Sequence, residues 1–105
     1  FDALTLPMMR DGAIGVISVA SNVIPATVTA LVHAGLEGRW DDAQQIHNQY
    51  VKLFDAMFID TNPIPVKAAL ALMGKIEETY RLPLCELAAT DKETLRKVLA
   101  SAGLL

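Results

Sequence analysis

Residues 15–19 read Gly-Val-Ile-Ser-Val, the one stretch of this chain with the pattern of a buried β-strand. It is short, apolar on both faces and β-branched, as a strand covered on both sides of a parallel sheet is. Everything around it has helical spacing. A lone strand leaves a row of backbone donors and acceptors without partners, and burying them unpaired is costly. Either the segment is not a strand, or its partner strands belong to sequence outside these 105 residues. The opening, Phe1 followed directly by Asp-Ala-Leu-Thr-Leu-Pro-Met-Met, agrees with the second reading: an excised or cleaved piece of something larger.

Before the strand, Asp2 is placed to cap a short helix over about residues 3–10, with Leu4, Leu6, Met8 and Met9 as its apolar surface and Gly12 as a left-handed end. After it, Pro25 suits the first position of a helix reaching to about residue 37, with Val28, Leu31 and Val32 facing inward and Gly38 near its end. Asp41 and Gln44 have the spacing of a capping box. Ala43, Ile46, Tyr50, Leu53, Phe54, Met57 and Phe58 then recur every three or four residues, with Asp42, Gln45, Gln49, Lys52 and Asp55 opposite. In Asn-Pro-Ile-Pro-Val-Lys, residues 62–67, Pro63 and Pro65 force a corner, and Pro65 opens a helix carrying Val66, Ala69, Leu70 and Met73 inward. Arg-Leu-Pro-Leu-Cys-Glu-Leu, residues 81–87, reads as an extended connector. A second capping box, Thr90 with Glu93, starts a last helix bearing Leu95, Val98, Leu99 and Ala102, ended by Gly103.

No Asp, Glu, Lys or Arg occurs from Gly12 to Leu36. Ser18, Ser21, Asn22, Thr27, Thr29 and His33, with Pro25 in the middle, make that stretch too polar for a membrane span. Twelve acids against nine bases leave a net charge of −3 without a basic stripe, which argues against a nucleic-acid partner. Cys85 is the single cysteine, so no intrachain disulfide forms, and a cytoplasmic setting is expected. With no His or Asn in a recognisable motif beside it, Cys85 is expected to be a buried or half-buried structural thiol.

No side chain by itself names a reaction. Lys67 lies on the first turn after the proline corner, at the edge of the apolar face. A Schiff-base amine must be desolvated or set beside another cation to be neutral often enough to attack. The plainer reading of Lys67 is a stem on the core with its ammonium in water or on nearby carbonyls. Lys52 and Lys75 have less to recommend them. His33 and His47 lack the spacing of a metal site or a triad. The pairs Asp41/Asp42 and Glu77/Glu78 are adjacent, hence about 100° apart on a helix, and read as solvated charges. No metal or cofactor is called for, and glycine-rich phosphate loops and nucleophile elbows are missing from the sequence.

The segments Gly-Val-Ile-Ser-Val-Ala-Ser-Asn-Val and Asn-Pro-Ile-Pro-Val-Lys-Ala-Ala-Leu, with Arg-Leu-Pro-Leu following, resemble the 4-hydroxy-tetrahydrodipicolinate synthase (dihydrodipicolinate synthase) family. The opening Asp-Ala-Leu-Thr-Leu-Pro-Met-Met and the closing Arg-Lys-Val-Leu-Ala-Ser-Ala-Gly-Leu-Leu fit as well. The resemblance covers essentially the whole chain but only about the last third of that family's polypeptide. It implies an α/β fold: the C-terminal part of a (β/α)8 TIM barrel plus a helical extension, mostly α in this segment. Residues 1–37 would supply helix seven, strand eight and helix eight of the barrel, and residues 38–105 the extension. The family condenses pyruvate with aspartate semialdehyde in lysine and diaminopimelate biosynthesis, with pyruvate held as a Schiff base on a lysine of barrel strand six. That lysine and the proton-relaying tyrosines and threonine lie upstream, so no catalytic residue is expected here and Lys67 is not the Schiff-base lysine. One site residue carries over: the main-chain carbonyl of Ile17, at the C-terminal end of strand eight, faces the bound pyruvate. Phe1 stands where family members often have an acid. The resemblance further implies a homotetramer, a dimer of dimers, joined through its helical surfaces.

Two other readings remain beside this one. A free-standing, non-enzymatic helical interaction module would fold from these residues alone, although strand edges at Gly-Val-Ile-Ser-Val weigh against it. A sister pyruvate lyase, such as N-acetylneuraminate lyase, is opposed by the Asn-Pro-Ile-Pro-Val-Lys motif.

Overall fold

The computed structural model describes all 105 residues and contains five α-helices and no β-strand. Helix α1 spans Thr5–Arg10 and is entered through a 3-10 turn at Asp2–Leu4. After an open stretch and a second 3-10 turn at Ala20–Asn22 come α2 (Pro25–Leu36), α3 (Trp40–Ala56), α4 (Ile64–Leu72) and α5 (Ala89–Ser101). Gly12, Gly38 and Gly103 all have positive φ, so the stops read from the sequence at these glycines hold.

The starts differ from expectation. Helix α3 begins at Trp40 and α5 at Ala89, so Asp41 and Thr90 are second helical residues, not caps. Neither helix has a side-chain cap bond. A capping box needs its first residue outside helical geometry, and here the helix has already begun. Asp41 and Asp42 still face the positive end of the α3 dipole, and Glu93 turns instead to Arg96 at 3.0 Å. Pro65 is likewise the second residue of α4, after Ile64, where a missing N–H leaves no intrahelical bond unmade.

One hydrophobic core of 19 buried residues runs from Leu6 to Leu99. Val28, Leu31 and Ala34 of α2 meet α3, which contributes Ala43, Leu53, Phe54 and Ala56. Leu95 and Leu99 of α5 close on both α3 and α4, the latter through Ile64, Val66, Ala68 and Ala69. Ile46, Tyr50 and Phe58, read as stripe residues of the third helix, are half-buried at its margin. Helices α1 and α2 approach closely at Gly35, where a Cβ would stand 2.6 Å from Met9 Cε.

Residues 15–19, read as a buried strand whose partners lie outside these residues, belong to no helix or ladder here. Ile14 and Ile17 are 82% and 103% exposed, and only Val16 and Val19 rest against the core. A strand needs neighbours to pair with, and this chain supplies none. Cys85, expected buried or half-buried, is exposed. In the connector around it Leu84 and Leu87 take the inward places.

Candidate functional site

The open segment and the turn that follows it form the most unusual local structure of the chain. Ile14–Ile17 make no backbone hydrogen bond within the protein, so four carbonyls and four amides are free on this stretch. Beyond it the chain is held tightly. Asp2, 2% exposed, accepts hydrogen bonds from Ser18 Oγ and from the main-chain N–H groups of Val19 and Ala20, both at 3.1 Å. Ser18 Oγ accepts from the Ser21 amide at 2.9 Å, and Ser21 Oγ donates to the Ser18 carbonyl at 3.1 Å. Asn22 Nδ2 donates to the Val19 carbonyl at 2.9 Å. The polar residues that argued against a membrane span here thus satisfy one another around a buried carboxylate. Asp2 was expected to cap its own helix, and it makes no such bond. The polar run Ser-Val-Ala-Ser-Asn after an apolar strand was a signal that something must bond its backbone, but spacing cannot say that the partner lies some sixteen residues earlier.

Beside this turn, Gly15, Val16, Ser18 and Ser21 face Val28, Thr29, Val32 and His33 of α2 across a groove of about 340 Å³. His33 is exposed there. His47, on α3, is half-buried, and its Nδ1 has no hydrogen-bond partner. The two histidines remain on different helices, and no group of three metal-ligating side chains comes together.

The lysines are dispersed. Lys67 is half-buried on α4, with its ammonium 5.3 Å from the centre of the Tyr80 ring. Lys52 is exposed on α3, flanking with Lys97 a groove of about 230 Å³ between α3 and α5. Lys75 is exposed after α4. Of the acids, Asp41, Asp42 and Glu77 are exposed, whereas Glu78 is held by Lys92 and by the Tyr80 hydroxyl at 2.9 Å. The Lys92 hydrogen bond holds the Glu78 carboxyl below the usual glutamate range, and burial followed by Glu78 pushes the Tyr80 hydroxyl up. Phe1 meets the Phe58 ring edge-on, centroids 4.7 Å apart, over a small apolar pocket with Leu4 and Phe54.

Comparison with known proteins gives this arrangement its context. Residues 1–102 match the sequence model of the Dihydrodipicolinate synthetase family. The chain belongs to that family. The 4-hydroxy-tetrahydrodipicolinate synthase of Chlorobium limicola is 53% identical over 104 residues, covering 99% of this chain and 35% of the relative. Among solved structures, dihydrodipicolinate synthase from Aquifex aeolicus superposes with a TM-score of 0.95 at 50% identity, over 98% of this chain and 35% of that one. The chloride-inhibited enzyme from Acinetobacter baumannii, solved in complex with pyruvate, gives 0.95 at 36% identity, over 99% of this chain and 36% of its own. The chain therefore spans about a third of the length of the relatives it matches. Its fold is that of the C-terminal part of a (β/α)8 barrel enzyme with a helical extension, which accounts for a strand-like segment without neighbours. No helix is long and apolar enough to cross a membrane.

Proposed function

We propose that this chain is the C-terminal part of a Schiff-base lyase that condenses pyruvate with aspartate semialdehyde to 4-hydroxy-tetrahydrodipicolinate, in lysine and diaminopimelate biosynthesis. The observation that carries the reading is the family match, continuous over residues 1–102. The pyruvate in the Acinetobacter baumannii structure supports the substrate. The name carried by the relatives favours this reaction over that of N-acetylneuraminate lyase.

In this reading residues 1–37 close the barrel, residues 38–105 form the extension, and the first partner of the chain is the upstream barrel of the same polypeptide. The Schiff-base lysine is upstream, and none of the lysines described above replaces it. What this chain brings to the pocket is main chain: the carbonyl of Ile17, which makes no hydrogen bond of its own here and can face pyruvate. The reaction runs without metal or cofactor, in the cytoplasm, in a homotetramer assembled as a dimer of dimers.

Reductive trapping tests the reading. When the lysine amine attacks pyruvate, the carbonyl oxygen leaves as water and an imine forms; borohydride adds hydride to its carbon and fixes a secondary amine. The full-length polypeptide is expected to gain one reduced pyruvyl group by intact mass, and to consume aspartate semialdehyde with pyruvate. The 105-residue chain alone is expected to gain none. A full-length protein without the adduct would leave the non-enzymatic helical module, and cleavage of N-acetylneuraminate would indicate the sister lyase.

A further inference from the structure

A carboxyl group is not needed merely to join a helix to a turn, yet Asp2 is buried at the point where the open segment ends. Its three hydrogen bonds all go to the three residues after Ile17. Ser18 is held twice over: its side chain by Asp2 and its carbonyl by Ser21 Oγ. The carbonyl of Ile17 shares a rigid peptide plane with the Ser18 amide, so fixing Ser18 fixes the direction of that carbonyl. Upstream of this plane nothing in the chain does so, since Ile14–Ile17 have no backbone bonds of their own. Ladder partners from the rest of a barrel would align the strand. They would not set the peptide at its very end, where the ladder stops and the turn begins.

We infer that Asp2 is a positioning residue for the reaction: it clamps the Ser18–Ala20 turn so that the Ile17 main-chain carbonyl is aimed into the pyruvate pocket. The inference rests on the function proposed above. Asp2 touches no substrate and acts through the turn. Both main-chain N–H groups reach one carboxylate oxygen and the Ser18 hydroxyl reaches the other, a division that an amide can reproduce. The amide oxygen accepts from both N–H groups, and the amide nitrogen donates to Ser18 Oγ.

The test uses the full-length polypeptide as wild type, Asp2→Ala, Asp2→Asn and Ser18→Ala, with kcat and pyruvate KM measured separately and rates normalised to folded protein by circular dichroism. A displacement of about 1 Å at a reacting centre costs up to about a hundredfold in rate. Asp2→Ala is therefore expected to lose about tenfold to a hundredfold in kcat, with pyruvate KM within about threefold. Asp2→Asn should recover most of that loss, and Ser18→Ala should lose several-fold in kcat. Wild-type kcat in folded Asp2→Ala, or equal damage in Asp2→Asn and Asp2→Ala, overturns the inference while wild type still traps pyruvate. Should Asp2→Ala not fold, Ser18→Ala decides: a lowered kcat supports the clamp and an unchanged one overturns it. A wild-type full-length chain that traps no pyruvate overturns the proposed function, and the clamp's role with it.

Discussion

Lys67, Tyr80, Glu78 and Lys92 form a chain of contacts that ties α4, the connector after it and α5 together. Lys67 over the Tyr80 ring is a cation–π contact, of the order of 0.5–1 kcal/mol. The ammonium, read as resting in water or on nearby carbonyls, lies instead over a ring of the connector that follows α4. The Glu78–Lys92 pair was not legible, because Glu78 stands next to Glu77 in a segment without periodicity, and its partner is on another helix. Lys92 lowers the Glu78 pKa from 4.5, so the stabilisation it confers is complete above that value and is lost as pH falls through the folded pKa. Glu78→Gln is expected to cost about 1 kcal/mol at pH 7 and less at pH 3. Urea unfolding of both proteins at the two pH values measures it; an equal gap at both would show that the ionised carboxylate contributes nothing.

Helix interiors were easier to read than helix ends. The stripe of α3 follows from a 3.6-residue period, and Leu53 and Phe54 are indeed 1% exposed. Phe54→Ala should destabilise the protein by about 3–5 kcal/mol, whereas Gln45→Ala, on the exposed face, should stay within about 0.5 kcal/mol. Comparable unfolding midpoints for the two variants would contradict the packing of α3. The ends failed for a physical reason. Asp41 and Thr90 have cap chemistry, but Trp40 and Ala89 ahead of them already sit in helical geometry, and a dihedral angle is not written in residue type. A related limit hid Asp2: its acid was visible, but its partners Ser18, Val19 and Ala20 stand far along the chain, where no spacing rule reaches. The Ile17 carbonyl was beyond any reading of side chains, since every residue has one; family resemblance alone singled it out.

At the scale of the molecule, buried helices and an uncovered segment coexist. Ile14 and Ile17 are exposed, and Phe1, Leu4 and Met8 are more than 45% exposed on the neighbouring turns. Apolar surface of this kind attracts other chains. The 105-residue chain on its own is expected to bind a hydrophobic dye and to self-associate, and Ile14→Lys with Ile17→Lys should reduce both severalfold. Dye fluorescence and light scattering report the outcome, and an isolated chain that stays dark and monomeric would mean this surface needs no cover. The core makes a different point. It passes from α2 into α3 without interruption at residue 38, with Leu31 and Ala34 on one side and Ala43 and Phe54 on the other. A chimera with its crossover at that junction would join two half-cores of different parentage, each shaped to a neighbour it no longer has. Recombination within the family therefore has a poor breakpoint there, and α2 and α3 are best inherited together.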